Sequence, residues 1–205
     1  VGEGQLIPSC LLPVEQGMVV KTRSPEIDKL RRAIIELLIA DHHADCRHCP
    51  SSGQCELQRI MAYLHVNVKR MRPLRLAKEE LPRDTSNPFF DYDPNKCVLC
   101  GICVRTCDEI QEIGAIEFVG RCFWLNIIDR IKLLKDKSRC ESCGECVIRC
   151  PVGGLAVKNP QRPKSEIKSV CPYCSVGCSI YLGIRDNKVV SVRGDWDRPV
   201  NRGSL

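Results

Sequence analysis

Apolar residues recur at helical spacing in two stretches of the chain. Ile27, Leu30, Ile34, Leu37 and Leu38 form one stripe. Ser24 is suited to cap the helix that carries it, Pro25 fits the first helical position, and Glu26 and Asp28 suit its positive end. That helix stops at Asp41-His42-His43. Leu57, Ile60, Met61 and Leu64 form a second stripe, which predicts a helix from Glu56 to Val66. Alternation at Ile180, Leu182 and Ile184, a turn at Asp186-Asn187 and the return of Val189, Val190 and Val192 predict a β-hairpin. Residues 71–95 are basic and then rich in Pro and Asp (Arg72-Pro73, Asn87-Pro88, Asp93-Pro94), and residues 159–168 are rich in Pro and Lys. Both stretches read as linkers.

Composition narrows the class. The longest apolar run, 33–40, is broken by Glu36, far short of a spanning helix, so no membrane span is expected. With 43% hydrophobic residues the chain is too apolar for a disordered tail, yet aromatics are only 5%, so small domains would bury little area. Something besides a core must hold them, and 16 cysteines in 205 residues are the candidates. Most fall in C-x-x-C-type groups, where neighbouring thiols converge on a point. A disulfide framework instead ties distant loops together. The spacing therefore predicts metal, and with it a reducing, cytoplasmic compartment. The formal charge of +6 comes without a basic stripe interleaved with aromatics, so nucleic acid is not the expected partner. Four thiolates on a 4Fe–4S core leave about −2 per site, so the basic excess reads as compensation for bound clusters.

Residues 97–151 repeat themselves. Cys97-x2-Cys100-x2-Cys103-x3-Cys107 returns as Cys140-x2-Cys143-x2-Cys146-x3-Cys150-Pro151, with a shared Cys-Gly-x-Cys-Val-x-x-Cys core. Three cysteines at this spacing wrap three corners of a 4Fe–4S cube, and the fourth points away to the other cube. One cube is thus assigned to Cys97, Cys100, Cys103 and Cys150, the other to Cys140, Cys143, Cys146 and Cys107. Zinc ribbons would need two separated pairs and four ligands each. Cys107 is followed by Asp108 where bacterial ferredoxins carry Pro, so the first half is the less regular. His42-x3-Cys46-x2-Cys49-x5-Cys55 is a second, four-ligand set, with His43 and His48 as rivals for the imidazole. Replacing a thiolate by neutral imidazole removes a negative charge and raises the potential. Cys171-x2-Cys174-x3-Cys178 is a third group, one ligand short. Cys10 and Cys122 stand alone, as ordinary buried thiols do.

These motifs, in this order, resemble the large subunit of NAD-dependent molybdenum- or tungsten-containing formate dehydrogenases of the molybdopterin oxidoreductase family. The resemblance implies an α+β chain built as a string of small iron–sulfur domains. Residues 1–22, with Ile-Pro-Ser-Cys10, look like the end of a plant-type 2Fe–2S domain, making Cys10 a ligand. Residues 23–70 look like the 4Fe–4S domain with one histidine (His42) and three cysteine ligands that NADH dehydrogenase large subunits and iron-only hydrogenases share. A linker, 71–95, leads to a two-cluster ferredoxin over 96–158. Residues 159–205 look like a linker and the start of the molybdopterin oxidoreductase 4Fe–4S domain, whose fourth cysteine the family places just past Leu205. Cys122 to Leu134 departs from the family's usual polar segment. NADH dehydrogenase large subunits are expected to match residues 1–70 alone, and hydrogenases to diverge after the ferredoxin, leaving the formate dehydrogenase type to match throughout.

The implied function is electron transfer. Electrons from formate leave a Mo- or W-bis-pterin guanine dinucleotide centre outside this chain, cross the clusters, and reach a 2Fe–2S centre and a diaphorase-type NAD and flavin partner. No catalytic residue is expected among the 205, and the chain is expected to be cut at both ends. The competing readings are a stand-alone polyferredoxin carrier, a fragment of an NADH dehydrogenase- or hydrogenase-type subunit and, more remotely, a zinc protein on nucleic acid.

Overall fold

The computed structural model describes residues 12–42, 45–67, 80–119, 126–129 and 139–204, and the chain divides into two units. The first comprises Val1–Leu81, Asn95–Val98 and Pro151–Gly153. Helix α1 (Pro25–Asp41) opens as its sequence dictates: the Ser24 hydroxyl accepts from the Ile27 amide at 3.1 Å, and Pro25 stands where an amide would be unsatisfied anyway. Its predicted stripe is not a buried face. Leu30, Ile34, Leu37 and Leu38 remain exposed, and burial falls on Ile39 near the helix end. Helix α2 (Glu56–Tyr63) buries Leu57, and Leu64 lies buried just past it. The Arg32 guanidinium ties the two helices by donating to the Leu64 carbonyl at 3.0 Å. α2 ends earlier than its apolar pattern predicts because His65 takes a left-handed conformation (φ 52°). The Val66 amide then reaches back to Met61 and the His65 amide to Ala62, a Schellman stop with His in the usual glycine position.

The second unit comprises Pro82–Pro94, Leu99–Cys150 and Gly154–Leu205. Its internal repeat is visible in the backbone. Gly101 (φ 73°) and Gly144 (φ 79°) cap two four-residue helices, α3 (Ile102–Arg105) and α4 (Glu145–Ile148). Two residues before each glycine, Leu99 and Ser142 also have positive φ. α3 runs on into a wider π-turn, Thr106–Ile110. Strand β1 (Phe90–Tyr92) pairs antiparallel with β4 (Leu155–Val157), and β2 (Ile116–Val119) with β3 (Asn126–Asp129). Residues 84–92, read as linker, thus belong to the fold through β1 and a bridge from Asp84 to Tyr92. The atypical 122–134 segment contributes β3, while Cys122 lies outside the described residues.

The predicted hairpin is present as β6 (Ser179–Arg185) and β7 (Lys188–Gly194), joined by Asp186 and Asn187, both at positive φ as a tight two-residue turn requires. A third strand, β5 (Ser165–Val170), pairs antiparallel with β6, so most of the expected 159–168 linker's second half is sheet. Across this sheet Arg193 lies 4.2 Å from the Tyr181 ring and grips Glu166 through two bonds of 2.9 and 2.6 Å. That contact holds the Glu166 carboxyl below its usual range.

Candidate metal centres

The cysteines of the described residues form no disulfides. Their placement follows the local folds just given. In the first unit, His42, Cys46, Cys49 and Cys55 line one cavity together with Asp45, Ser52, Gln58 and Gly153. His42 is the C-cap of α1, its amide donating to Leu38 and Ile39 at 3.0 and 3.3 Å. Cys55, buried, is the N-cap of α2. Two helix ends thus supply two of the four donors. Of the rival imidazoles, His43 lies outside the described residues, and His48 turns to Asp45 at 2.7 Å with its side chain 83% exposed. That bond holds the Asp45 carboxyl below its usual range. Gly153 shows how closely the backbone approaches: a β-carbon there would stand 2.5 Å from Cys49 Sγ. Its part in this site was missed in the sequence, where it reads only as the tail of the second ferredoxin motif.

In the second unit, Cys107 from the first motif lines the same cavity as Cys140, Cys143 and Cys146 from the second. Phe90, Ile113 and Ile116 supply apolar walls. The Ala115 amide donates to Cys107 Sγ at 3.2 Å, and the Asn87 amide approaches Cys140 Sγ at 3.8 Å while donating to Ser142 Oγ at 3.0 Å. Burial pushes the Cys146 thiol up to about 12, with the neighbouring Cys103, Cys143, Cys140 and Cys107 adding to the rise. A cationic core beside it is what would let the buried Cys146 thiol ionise. This donor set fits a 4Fe–4S cube: thiol sulfurs, apolar walls, and amide hydrogens aimed at sulfur. The His42 set fits one with a neutral ligand at one corner.

Cys97 belongs to the first unit; Cys100, Cys103 and Cys150 belong to the second, with Cys103 buried. Cys171, Cys174 and Cys178 sit on the β5–β6 connection, whose neck is closed by the Cys171 amide donating to the Cys178 carbonyl at 2.8 Å. Asp195, 1% exposed, secures the strand leaving that loop. Its carboxylate contacts Lys168 and accepts from Ser179 Oγ at 3.0 Å and the Asp197 amide at 3.1 Å, which holds it below the usual carboxylate range. Cys10 lies outside the described residues. Among the described residues, no helix is long and apolar enough to cross a membrane.

Three family models match parts of the chain. The NADH-ubiquinone oxidoreductase-G iron–sulfur binding region matches residues 31–70, the 4Fe–4S binding domain residues 133–155, and the molybdopterin oxidoreductase Fe4S4 domain residues 164–205. A G-type subunit of NADH-quinone oxidoreductase from Rhizobium meliloti is 33% identical over 211 residues, covering 100% of this chain and 24% of its own length. NADPH-Fe(3+) oxidoreductase subunit alpha of Geobacter sulfurreducens is 34% identical over 209 residues, with the same coverage of 100% and 24%. The chain thus spans about a quarter of the length of these relatives. A solved chain of an NAD+-reducing [NiFe]-hydrogenase in its H2-reduced state superposes with a TM-score of 0.67 at 28% identity, over 77% of this chain and 66% of that one. A G-type relative therefore matches the full length, against the expectation that only the formate dehydrogenase type does so. Part by part, this mixed α/β chain is similar to the iron–sulfur regions of molybdopterin oxidoreductases and of G-type subunits of NADH-quinone oxidoreductase, and its thiol sets have the donor chemistry for 4Fe–4S clusters.

Proposed function

We propose that this chain carries electrons, one at a time, between a molybdenum- or tungsten-pterin centre borne by sequence outside these residues and a diaphorase-type partner that uses NAD and flavin. The reaction assigned to the pterin centre is formate oxidation, on the motif resemblance, and the compartment is the cytoplasm. The ligand assignment has Cys140, Cys143, Cys146 and Cys107 on one cube, Cys97, Cys100, Cys103 and Cys150 on its twin, and His42, Cys46, Cys49 and Cys55 on a third. Cys171, Cys174 and Cys178 supply three ligands to a fourth, and Cys10 one ligand to a 2Fe–2S centre. The observation that supports this reading most is the cavity where Cys107 joins the three cysteines of the other motif. Interlocked ligation of that kind suits two redox centres sharing one small fold.

When bound, a 4Fe–4S cube takes up and gives back one electron at a potential its surroundings set. The residues here do the setting. Cys107 Sγ accepts from the Ala115 amide, and a donor aimed at a ligand sulfur favours the more negative, reduced state of a cluster. Phe90, Ile113 and Ile116 place apolar surface beside the sulfurs. His42, uncharged, leaves its corner one negative charge lighter than a fourth thiolate would, so His42→Cys should keep the cluster while lowering its potential, read by redox titration with EPR detection.

The test of the whole reading is spectroscopic. Anaerobically purified chain should hold about twelve iron and twelve sulfide from three complete cubes. It should bleach with dithionite and leave the same spectrum untouched by formate. Extending the chain downstream to include a pterin domain should make formate bleach it. Stoichiometric zinc with little iron would overturn the electron-transfer reading. Bleaching of the extended protein by NADH or NADPH but never by formate would remove formate alone.

A further inference from the structure

The first amide of α2 is committed to an unusual partner. The first amides of a helix have no partner within it. Here the Glu56 amide donates at 2.9 Å to the carbonyl of Pro151, which lies 95 residues further on. Both residues belong to the first unit. Each is covalently joined to a cysteine assigned above: Glu56 follows Cys55, of the His42 set, and Pro151 follows Cys150, of the twin ferredoxin cubes. The contact therefore completes a short path of bonds, from Cys150 through the Pro151 carbonyl and the Glu56 amide to Cys55. Gly153 sharpens it, because the backbone beyond Pro151 approaches Cys49 Sγ so closely that no side chain fits.

We propose that the Glu56 amide–Pro151 carbonyl hydrogen bond is the electron bridge between the cube ligated by Cys150 and the cube ligated by Cys55. The inference rests on the electron-conducting reading and specifies its route. With both cubes bound, the bridge would carry one electron from the Cys150 cube, oxidised by one unit, to the Cys55 cube, reduced by one. No bond forms or breaks, and no proton leaves the Glu56 nitrogen. Glu56 and Pro151 are positioning residues that act through their backbones, so the Glu56 side chain, paired to Arg59 at 2.8 Å, is dispensable to the route.

Geometry makes the test clean. Glu56 is the first helical residue, where proline is preferred, and Cys55 before it sits at φ −73°, ψ 123°, the extended region that a following proline demands. Glu56→Pro therefore deletes the amide hydrogen with little cost to the helix itself, but its ring carbon also pushes the Pro151 carbonyl out of bonding distance, so an ester at that bond is the variant that removes the hydrogen alone. Glu56→Gln keeps that hydrogen and removes only the carboxylate. In the anaerobically purified full chain, a flash-excited deazaflavin with a sacrificial amine donor injects electrons, and freeze-quenched pulsed EPR follows their arrival. The nitrogen coupling of His42 marks the Cys55 cube. Glu56→Pro should slow arrival there several-fold at unchanged cluster potentials, and Glu56→Gln should match the wild type. An ester replacing the Cys55–Glu56 amide removes the same hydrogen without a proline ring. It should slow transfer likewise and serves if the proline variant loses its cluster. Wild-type rates in the proline and ester variants, equal slowing in Glu56→Gln, or slowing accounted for by a shifted potential would each overturn the bridge. Absence of any 4Fe–4S signal in the wild type would instead overturn the electron-transfer reading beneath it.

Discussion

The two halves of the ferredoxin motif begin alike and end differently. Leu99 and Gly101 in the first half, Ser142 and Gly144 in the second, take the same left-handed turns before a four-residue helix. They part just before the last cysteine, where the first runs on into a π-turn and the second half's helix has already ended. Cys107 is followed by Asp108, the helix widens into a π-turn, and the Ile113 and Gly114 amides return to the Cys107 carbonyl at 2.9 and 3.1 Å. The chain thereby folds back so that the Ala115 amide reaches Cys107 Sγ. Cys150 is followed by Pro151, which cannot continue a helix, and the chain leaves at once for the α2 amide of Glu56. One exit closes on its own cysteine, the other meets the first amide of α2, next to Cys55. A duplicated cysteine loop thus leads into two different exits.

The largest effects should come from the fourth cysteines themselves. With crossed ligation, Cys107→Ala should remove the cube of Cys140, Cys143 and Cys146, about four of roughly twelve iron atoms, and leave the Cys97–Cys103 cube in place. Cys150→Ala should do the reverse. Iron and sulfide analysis with site-resolved EPR decides, and loss of the sequence-neighbouring cube in either variant would refute the crossing.

Making the exits alike should be the next most damaging change. Asp108→Pro gives the first half the second's sequence, but here the chain must stay helical through the π-turn. Proline removes an amide, crowds the preceding turn and pushes Cys107 out of the helical region, at a cost of about 3 kcal/mol. The Ala115–Cys107 contact should go with it. A cluster lost at a lower denaturant concentration is the expected outcome. An unchanged midpoint would mean that the π-turn does not fix Cys107.

The glycines test the half that is shared. Alanine at Gly144 meets nothing within 4 Å, so its only penalty is the left-handed backbone, about 1–2 kcal/mol. Alanine at Gly101 carries that penalty and also stands 3.0 Å from Phe118 Cζ and Arg105 Nη1, adding about 1 kcal/mol of overpacking. Gly101→Ala should therefore unfold at the lower denaturant concentration. Equal midpoints would show that Phe118 moves aside freely.

Much of this was readable in the residues because the signals are local. Ser24 and Pro25 announce α1, Asp186-Asn187 the hairpin, and cysteine spacing the ligand groups, each within a few positions. What escaped depends on distant partners. β1 is three residues long and pairs with residues 155–157, too short and too remote to leave a pattern. β5 is exposed along most of its length, so no apolar alternation marks it; its Glu166–Arg193 pair links residues 27 apart. The early stop of α2 turns on His65 adopting a conformation that sequence assigns to glycine. The α1 stripe was legible as a helix face but said nothing about whether anything covers it. Gly153 was hidden for the same reason: its neighbour Cys49 lies about a hundred positions earlier.

The smallest predicted effect separates the two cubes electrically. The Asn87 amide approaches Cys140 Sγ at 3.8 Å, a weak contact beside the 3.2 Å one that the Ala115 amide makes to Cys107. Asn87 Oδ1 meanwhile accepts from the Phe89 amide at 2.9 Å and the Phe90 amide at 3.4 Å, holding the turn into β1. Asn87→Asp keeps that acceptor, so the turn should survive. It replaces the donor facing Cys140 by a negative charge. Reduction adds an electron to an already anionic centre, so a carboxylate beside it disfavours the reduced state, and the potential of the Cys140 cube should fall. Its twin, whose ligands do not include Cys140, should shift less. Redox titration followed by EPR reads both potentials in one sample. Equal shifts would mean that the charge acts through solvent on both cubes alike. A rise at the Cys140 cube would mean that the introduced carboxyl binds a proton and donates in place of the lost amide, which a repeat at higher pH would reverse.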